Sequence, residues 1–432
     1  MAGAPTRPDP VAGPLVRADG EEHYGSRRAV TTGGCAMPAL DGMKVLDFTQ
    51  YEAGPSCCQY LAWLGADVVK VEPPGGEPGR QTRAAGGRSQ YFENYNGNKR
   101  SVVVDVATEA GKDLVRRLVA DVDVFVENQG PGVMEKLALD PVALRALNPR
   151  LVYARIKGYG LSGPYADYRA FDMLAQAAAG LFSLTGAPDG PPIRPGGTFG
   201  DTATGAHTAM AILAAYVQQQ RTGEGQVIEM SMHEVMTMFI RTTGIGGWSL
   251  DGDAAPRVGN ALGAPPTDMF PCEPFGPNDY VYVMVGTPKM WTALCRVIDR
   301  PDLADDERYA TPRGRAEHKD VLKTAIAAWC HTKTKGEAMT LLADAGIAAS
   351  AVMDTHDVFH DPHLRARNFV QEVPHPEHGT VLLLDKPFRL EKSDVPLRAA
   401  PVLGADTDAV LTAELGLSAE ELEALRGAGV IA

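Results

Sequence analysis

The sequence predicts an α/β fold, and three features carry that prediction. Short β-branched runs recur, helical runs alternate with them as crossovers between parallel strands would, and a Gly-, Pro- and Ala-rich stretch precedes a further strand. Residues 1–38 lack periodicity and read as a poorly ordered tail. Structure begins at LDGMKVLDF, where Val45, Leu46 and Phe48 form a buried strand. A helix then runs from Gly54-Pro55 through CCQYLAWLG. DVVKVE (67–72), SVVVDV (101–106), DVDVFVEN (121–128) and LVYARIK (151–157) read as further strands, with EAGKDLVRRLVA as a crossover helix. Helices then dominate in AFDMLAQAAAGLFSL, TATGAHTAMAILAAYVQQQ and MHEVMTMFIRTTG. Residues 241 to about 270 read as a linker or flexible loop. DYVYVMVG is a strand, and helical stretches to about 345 complete a second, smaller domain. Two amphipathic helices close the chain, with Asp406 or Thr407 as the cap of one and Ser418 of the other.

Composition narrows the function. A chain of 432 residues with 44% hydrophobic and 22% charged residues has enough apolar material for more than one domain. The net charge of −13 argues against nucleic acid as a partner and leaves an anionic ligand only a locally basic pocket. No apolar run has the length of a membrane span, and MAGAPTRPDP lacks a signal-peptide core. The six cysteines include no C-x-x-C pair, so reduced thiols and a cytoplasmic location are expected.

Most short motifs fail on context. GYGLSG (158–163) fits G-x-G-x-x-G after a strand, but Pro164 and more loop follow instead of a helix; a turn near an active site fits better than a dinucleotide site. His356, His360 and His363 have ligand-like spacing, but Asp-Pro interrupts them and no cysteine is near, so no metal is expected. His233-Glu234 lacks the second histidine of a zincin helix, and no G-x-S-x-G or Walker sequence occurs. Met230, Met232, Met236 and Met238 read as core filler. Carboxylates remain: Glu52 in the turn QYEAGP, Asp172 in AFDMLAQ, and Asp201 in GGTFGDTATGAH. Turns after parallel strands are where α/β proteins place ligands, which singles out Glu52. Asp201 stands before a long helix among small residues. It reads either as a helix cap or as a carboxylate that a large ligand must approach.

The ordered set LDGMKVLDFTQYEAGP, LGADVVKVEPPGGEPGR, NGNKRSVVVD, DVFVENQGPGVMEKL, NPRLVYARIKGYG, FGDTATGAH, RTGEGQVIEMSM and APVLGADTDAVL resembles the family III CoA-transferases from Leu40 to the C-terminus. The resemblance implies a Rossmann-like large domain interrupted by a smaller α/β domain. The segments are then 39–240 for the first part of the large domain, 241–375 for linkers and small domain, and 376–432 returning to the large one. It also implies ring-like chains that interlock as a homodimer. Asp201 matches the family's nucleophile, which would carry CoA from an acyl-CoA to an organic acid through a mixed anhydride and an enzyme–CoA thioester. CoA enters as substrate, with no permanently bound cofactor. Asn128, Lys136 and Arg169 match CoA-contacting positions, and Lys99 and Arg100 are further basic candidates. The helix N-terminus would favour the Asp201 anion.

Departures matter too. Glu52 stands where formyl-CoA transferase has glutamine, which argues against formyl and oxalate as substrates. Pro73 replaces an arginine that binds CoA, and GNALGAPPTDM is less glycine-rich than the closing loop of the formyl enzyme. The same fold serves α-methylacyl-CoA racemases, the alternative reading. Their histidine–aspartate step is Phe171-Asp172 here, and phenylalanine cannot move a proton.

Overall fold

The β-branched runs form the strands of one parallel sheet. The computed structural model describes residues 37–432 apart from Ala85 and Ala264, so residues 1–36 of the expected tail lie outside the described residues. Strands β1 (Lys44–Phe48), β2 (Asp67–Glu72), β3 (Arg100–Val103), β4 (Val124–Glu127), β5 (Val152–Lys157) and β6 (Val227–Ser231) lie in the order β3-β2-β1-β4-β5-β6. All five pairings are parallel. Helices α1 (Ala53–Trp63), α2 (Gln90–Asn96), α3 (Glu109–Val119), α4 (Val133–Leu137), α5 (Pro141–Leu147), α6 (Asp172–Ala178), α7 (Leu181–Leu184) and α8 (Phe199–Thr222) connect them, and α9 (Met232–Phe239) follows β6.

Alternation along each strand builds two cores. Val45, Val68, Val124, Val126, Val152 and Ala154 pack with Cys57, Leu61, Ile212 and Met236 on one face. Leu46, Val69, Phe125 and Tyr153 pack with Leu114, Val115 and Leu118 of α3 on the other. With both faces covered, the strands are rich in apolar residues on both sides, and the charges within them, such as Asp47 and Lys70, are buried too. Met236 is fully buried, but Met238 is 46% exposed, so it is not core filler. The expected helix AFDMLAQAAAGLFSL breaks at Gly180, whose φ of 89° ends α6 and starts α7.

A second sheet is antiparallel. It comprises β7 (Asp268–Pro271), β8 (Tyr280–Met284) and β9 (Ala348–Ala351). Only eight residues join β7 to β8, too few for a parallel crossover. Helices α10 (Pro288–Val297), α11 (Pro301–Asp305), α12 (Pro312–Glu317), α13 (Lys319–Cys330) and α14 (Lys335–Asp344) precede β9, and Trp291, Leu294, Leu322 and Ile326 form its core. Helices α15 (Thr355–His360) and α16 (Pro362–Ala366) lead to a hairpin of β10 (Val370–His375) and β11 (Gly379–Leu384).

The last segment, α17 (Thr407–Leu415) and α18 (Ala419–Gly427), adds Val410, Leu411, Leu422 and Ile431 to the core beside α3. Asp406 occupies the N-cap position of α17 but makes no capping bond. Its Oδ2 accepts from Ser101 N at 2.9 Å, and Thr407 Oγ1 accepts from Val103 N at 3.1 Å. Both side chains therefore serve the free edge of β3 instead of the helix. A bridge between Val104 and Ile431 extends that closure. Ser418 does cap α18, in a capping box with Glu421.

Candidate active site

The strand order reverses between β1 and β4, and a crevice opens at such a point beyond the carboxyl ends of the strands. The turn Thr49–Glu52 leaves β1 there. A cavity of about 240 Å³ lies against it, lined by Phe48, Gln50, Val71, Val104, Gln129 and Leu137 among others. Glu52 ends the turn at the start of α1 with its carboxylate buried, accepting from Thr202 Oγ1 at 2.8 Å. The hydroxyls of Thr198 and Tyr95 also bond to it.

Glu52 meets two further carboxylates. Asp201 is the third residue of α8, inside the first turn, so it is not the cap. Thr198 holds the N-cap position and makes no capping bond. Asp172, the first residue of α6, supplies one from outside. Its Oδ1 accepts from Gly200 N at 2.7 Å and Asp201 N at 3.2 Å, and Gln176 Nε2 donates to its Oδ2 at 2.8 Å. A borrowed cap satisfies the helix and leaves the Asp201 carboxylate without a hydrogen bond to any described residue.

The small neighbours of Asp201 have a structural reason. A Cβ on Gly200 would stand 2.7 Å from the Asp172 carbonyl oxygen, and one on Gly205 would stand 2.8 Å from the Ala53 carbonyl oxygen. Gly200 admits the cap, and Gly205 lets α8 pack against α1.

Burial dominates the electrostatics. It pushes the Asp201 carboxyl up to about 8, with the negative charges of Glu52 and Asp172 adding to the effect. The expectation that the helix N-terminus would favour the anion is thereby overridden. Glu52 is also raised, mainly by burial and further by Asp172, against the hydroxyls that bond to it. Tyr91 and Tyr95 of α2 face the same charges, their phenols raised by burial and by Glu52.

The CoA-transferase family III model matches residues 40–407. The chain belongs to the family III CoA-transferases. As such it is an acyl-CoA:carboxylate CoA-transferase. Formyl-CoA:oxalate CoA-transferases of Streptomyces avermitilis and Streptomyces coelicolor are 40% and 39% identical over 408 residues, spanning 91% of this chain and 99% of each relative. A CaiB/BaiF family protein of Brucella suis superposes with a TM-score of 0.78 at 32% identity, covering 87% of this chain and 99% of its own. A Mycobacterium tuberculosis protein gives 0.74 at 32% identity, covering 86% and 98%.

The expected CoA contacts of the transferase separate into two groups. Asn128 brackets the turn: its Oδ1 accepts from Gln50 N at 2.9 Å and its Nδ2 donates to Gln50 O at 2.7 Å. Lys136 and Arg169 are exposed, Lys136 on α4 next to the cavity-lining Leu137. Lys99 is not a free surface cation. It is 6% exposed, and its ammonium donates to Asp47 Oδ2 and Asn96 Oδ1 at 2.8 Å and to Pro55 O at 2.9 Å. Arg100 is occupied by a two-pronged pair with Asp67 on the neighbouring strand.

Sequence reasoning missed Tyr91 and Tyr95. Their i, i+4 spacing behind the cap Ser89 was the available signal. It also missed Lys157, buried at the end of β5, which donates to Glu127 at 2.9 Å and to Gln129 O at 2.6 Å. The GYGLSG segment is a bend in which Gly158 O accepts from His233 N at 2.9 Å. His356 stacks on His360 at the surface. Glu93, His375 and His378 come within ligand distance of one another. However, His375 Nδ1 accepts from Glu377 N and His378 N, which leaves its Nε2 as the donor to Glu93. That imidazole locks the hairpin.

Proposed function

We propose that Asp201 is the nucleophile of this transferase. The Asp201 carboxylate attacks the carbonyl of a donor acyl-CoA, forming a mixed anhydride and releasing the CoA thiolate. The thiolate attacks the aspartyl carbonyl, giving an enzyme–CoA thioester and freeing the donor acid. The acceptor carboxylate displaces thiolate from that thioester, and thiolate then takes up the new acyl group and restores Asp201. One observation carries this reading: of three clustered carboxylates, Asp172 is spent on backbone N–H groups and Glu52 on hydroxyls, while Asp201 is uncommitted. Glu52 and Asp172 act as its electrostatic and structural partners. Phe171, which has no titratable group, precedes Asp172, and this favours transfer over racemisation.

The cavity at the strand ends would take the adenosine end of CoA, with Asn128, Lys136 and Arg169 at its approach. CoA is substrate; no resident cofactor is needed. The relatives are named for formyl-CoA and oxalate; here the Glu52 carboxylate beside Asp201 argues for another organic acid. The enzyme would work in the cytoplasm as an interlocked homodimer. Support comes from the five cysteines among the described residues, all free and buried, and from exposed apolar side chains such as Met210, Val217 and Phe239, which a second copy would cover. Among the described residues no helix is long and apolar enough to cross a membrane. Light scattering tests the dimer. Trapping with hydroxylamine after exposure to an acyl-CoA panel, with mass mapping, tests the nucleophile. Label on Asp201 is expected; turnover with Asp201 unmodified would refute the mechanism.

A further inference from the structure

The turn that carries Glu52 is an unfavourable piece of backbone. Tyr51 has a φ of 64°, a left-handed conformation that a bulky residue rarely adopts. Its ring meets Phe171 edge-on at 6.0 Å, beside Asp172, so the strained residue touches the helix that caps α8. Such a conformation persists only where its surroundings over-determine it.

Those surroundings are a cluster of buried charges. Glu77, 2% exposed, accepts from Tyr51 N at 3.1 Å and from Gly79 N at 2.6 Å, both through Oε2. Its Oε1 has no hydrogen bond and lies 3.8 Å from the Lys70 ammonium. Lys70 donates to Thr49 O at 2.9 Å, and Asp47 Oδ1 accepts from Thr49 N at 3.0 Å. Lys99 bonds Asp47 Oδ2 and Pro55 O. Four charged side chains thus grip the backbone at residues 49, 51 and 55, on both sides of Glu52. Replacing paired buried charges by apolar residues of equal volume is often neutral or stabilising, so stability alone does not explain four of them against this one turn.

We infer that Glu77, backed by Lys70, Asp47 and Lys99, is a positioning residue that holds the Tyr51 turn and so sets Glu52 against Asp201. This rests on the reading of Asp201 as nucleophile. Glu77 touches no reacting atom; it fixes the distance between two carboxylates and thereby the proton affinity of the one that attacks. The groups facing Asp201 are Glu52, Asp172, Tyr91 and Tyr95, and Glu77 acts on the first of them.

The test compares Glu77→Ala and Glu77→Gln in the full chain, with Val115→Ala in the α3 core as a destabilised control remote from the turn. Two readouts are taken. The first is kcat and KM for CoA transfer. The second is carbodiimide labelling of Asp201 against pH, mapped by mass spectrometry, which reports the protonated carboxyl without requiring turnover. Glu77→Ala is expected to lower kcat about 100-fold with KM little changed, as a small misplacement of catalytic groups does. Its labelling midpoint should fall by about one pH unit, a tenfold drop in proton affinity. Glu77→Gln, which keeps an acceptor for Tyr51 N, should recover most of both, and Val115→Ala should move neither kcat nor the midpoint. A parental midpoint in Glu77→Ala overturns the inference, as does a glutamine variant as impaired as the alanine one. If the parental protein transfers no CoA but the midpoint still moves, the transfer mechanism fails and the positioning role stands.

Discussion

Replacing Asp201 by asparagine should stabilise the protein while abolishing transfer, and the stabilisation should depend on pH. The carboxyl titrates at about 8 in the folded protein against an ordinary 3.8. Between those values the unfolded chain releases a proton that the folded chain retains. Because the folded state then binds more protons, stability falls as pH rises. At pH 7.5 the loss spans about 3.7 pH units at about 1.4 kcal/mol each, roughly 5 kcal/mol as an upper bound. Water entering the half-buried site can halve this, leaving about 2–5 kcal/mol. Asparagine has no proton to lose and escapes the penalty. With an unfolding entropy of about 2 cal/mol/K per residue, a chain of this size should gain about 2–6 °C in melting temperature at pH 7.5 and almost nothing at pH 4. Calorimetry of both proteins at the two pH values measures the difference. A gain equal at both pH values, or a lower melting temperature at pH 7.5, would refute the assignment of a carboxyl at this position whose proton affinity is raised by burial.

Acylation of Asp201 requires its anion, so the single-turnover rate should rise with pH through about 8 in the free enzyme. Glu52→Gln should move that limb to lower pH by removing a like charge, and stopped-flow pH profiles of both proteins check the sign. Asp172→Ala should cost about 1–3 kcal/mol by uncapping α8, read as a lower urea midpoint with an unchanged slope. Gly205→Ala should cost about 1–3 kcal/mol, because its Cβ would collide with the Ala53 carbonyl and force α1 from α8; thermal melts measure it.

Much of this fold was legible because central parallel strands need no polar face. Val45, Val68 and Val124 sit in short β-branched runs that read as buried strands, even though Asp47 and Lys70 interrupt two of them. Strand β6 was harder: VIEMS is half-exposed and includes Glu229, so it lacks the signature of a buried strand. At the site, the type and approximate place of Glu52, Asp172 and Asp201 could be read, but not their division of labour. Asp201 looked like the cap because caps usually come from the residue just before the helix. The cap comes instead from Asp172, 29 positions earlier in the chain, and no local pattern announces that. Lys99 read as a basic candidate for CoA because its own partner is likewise distant in sequence. Its partner Asp47 lies 52 residues away, and only the assembled sheet brings them together.

The way the chain closes on itself bears on how it is made. Strand β3 has no neighbouring strand on one side until Asp406, Thr407 and Ile431 reach it. During synthesis that bare strand is displayed for the whole of the time needed to add some 300 further residues. Until then the nascent protein offers other chains a template for pairing, a hazard of the kind that holding chaperones meet.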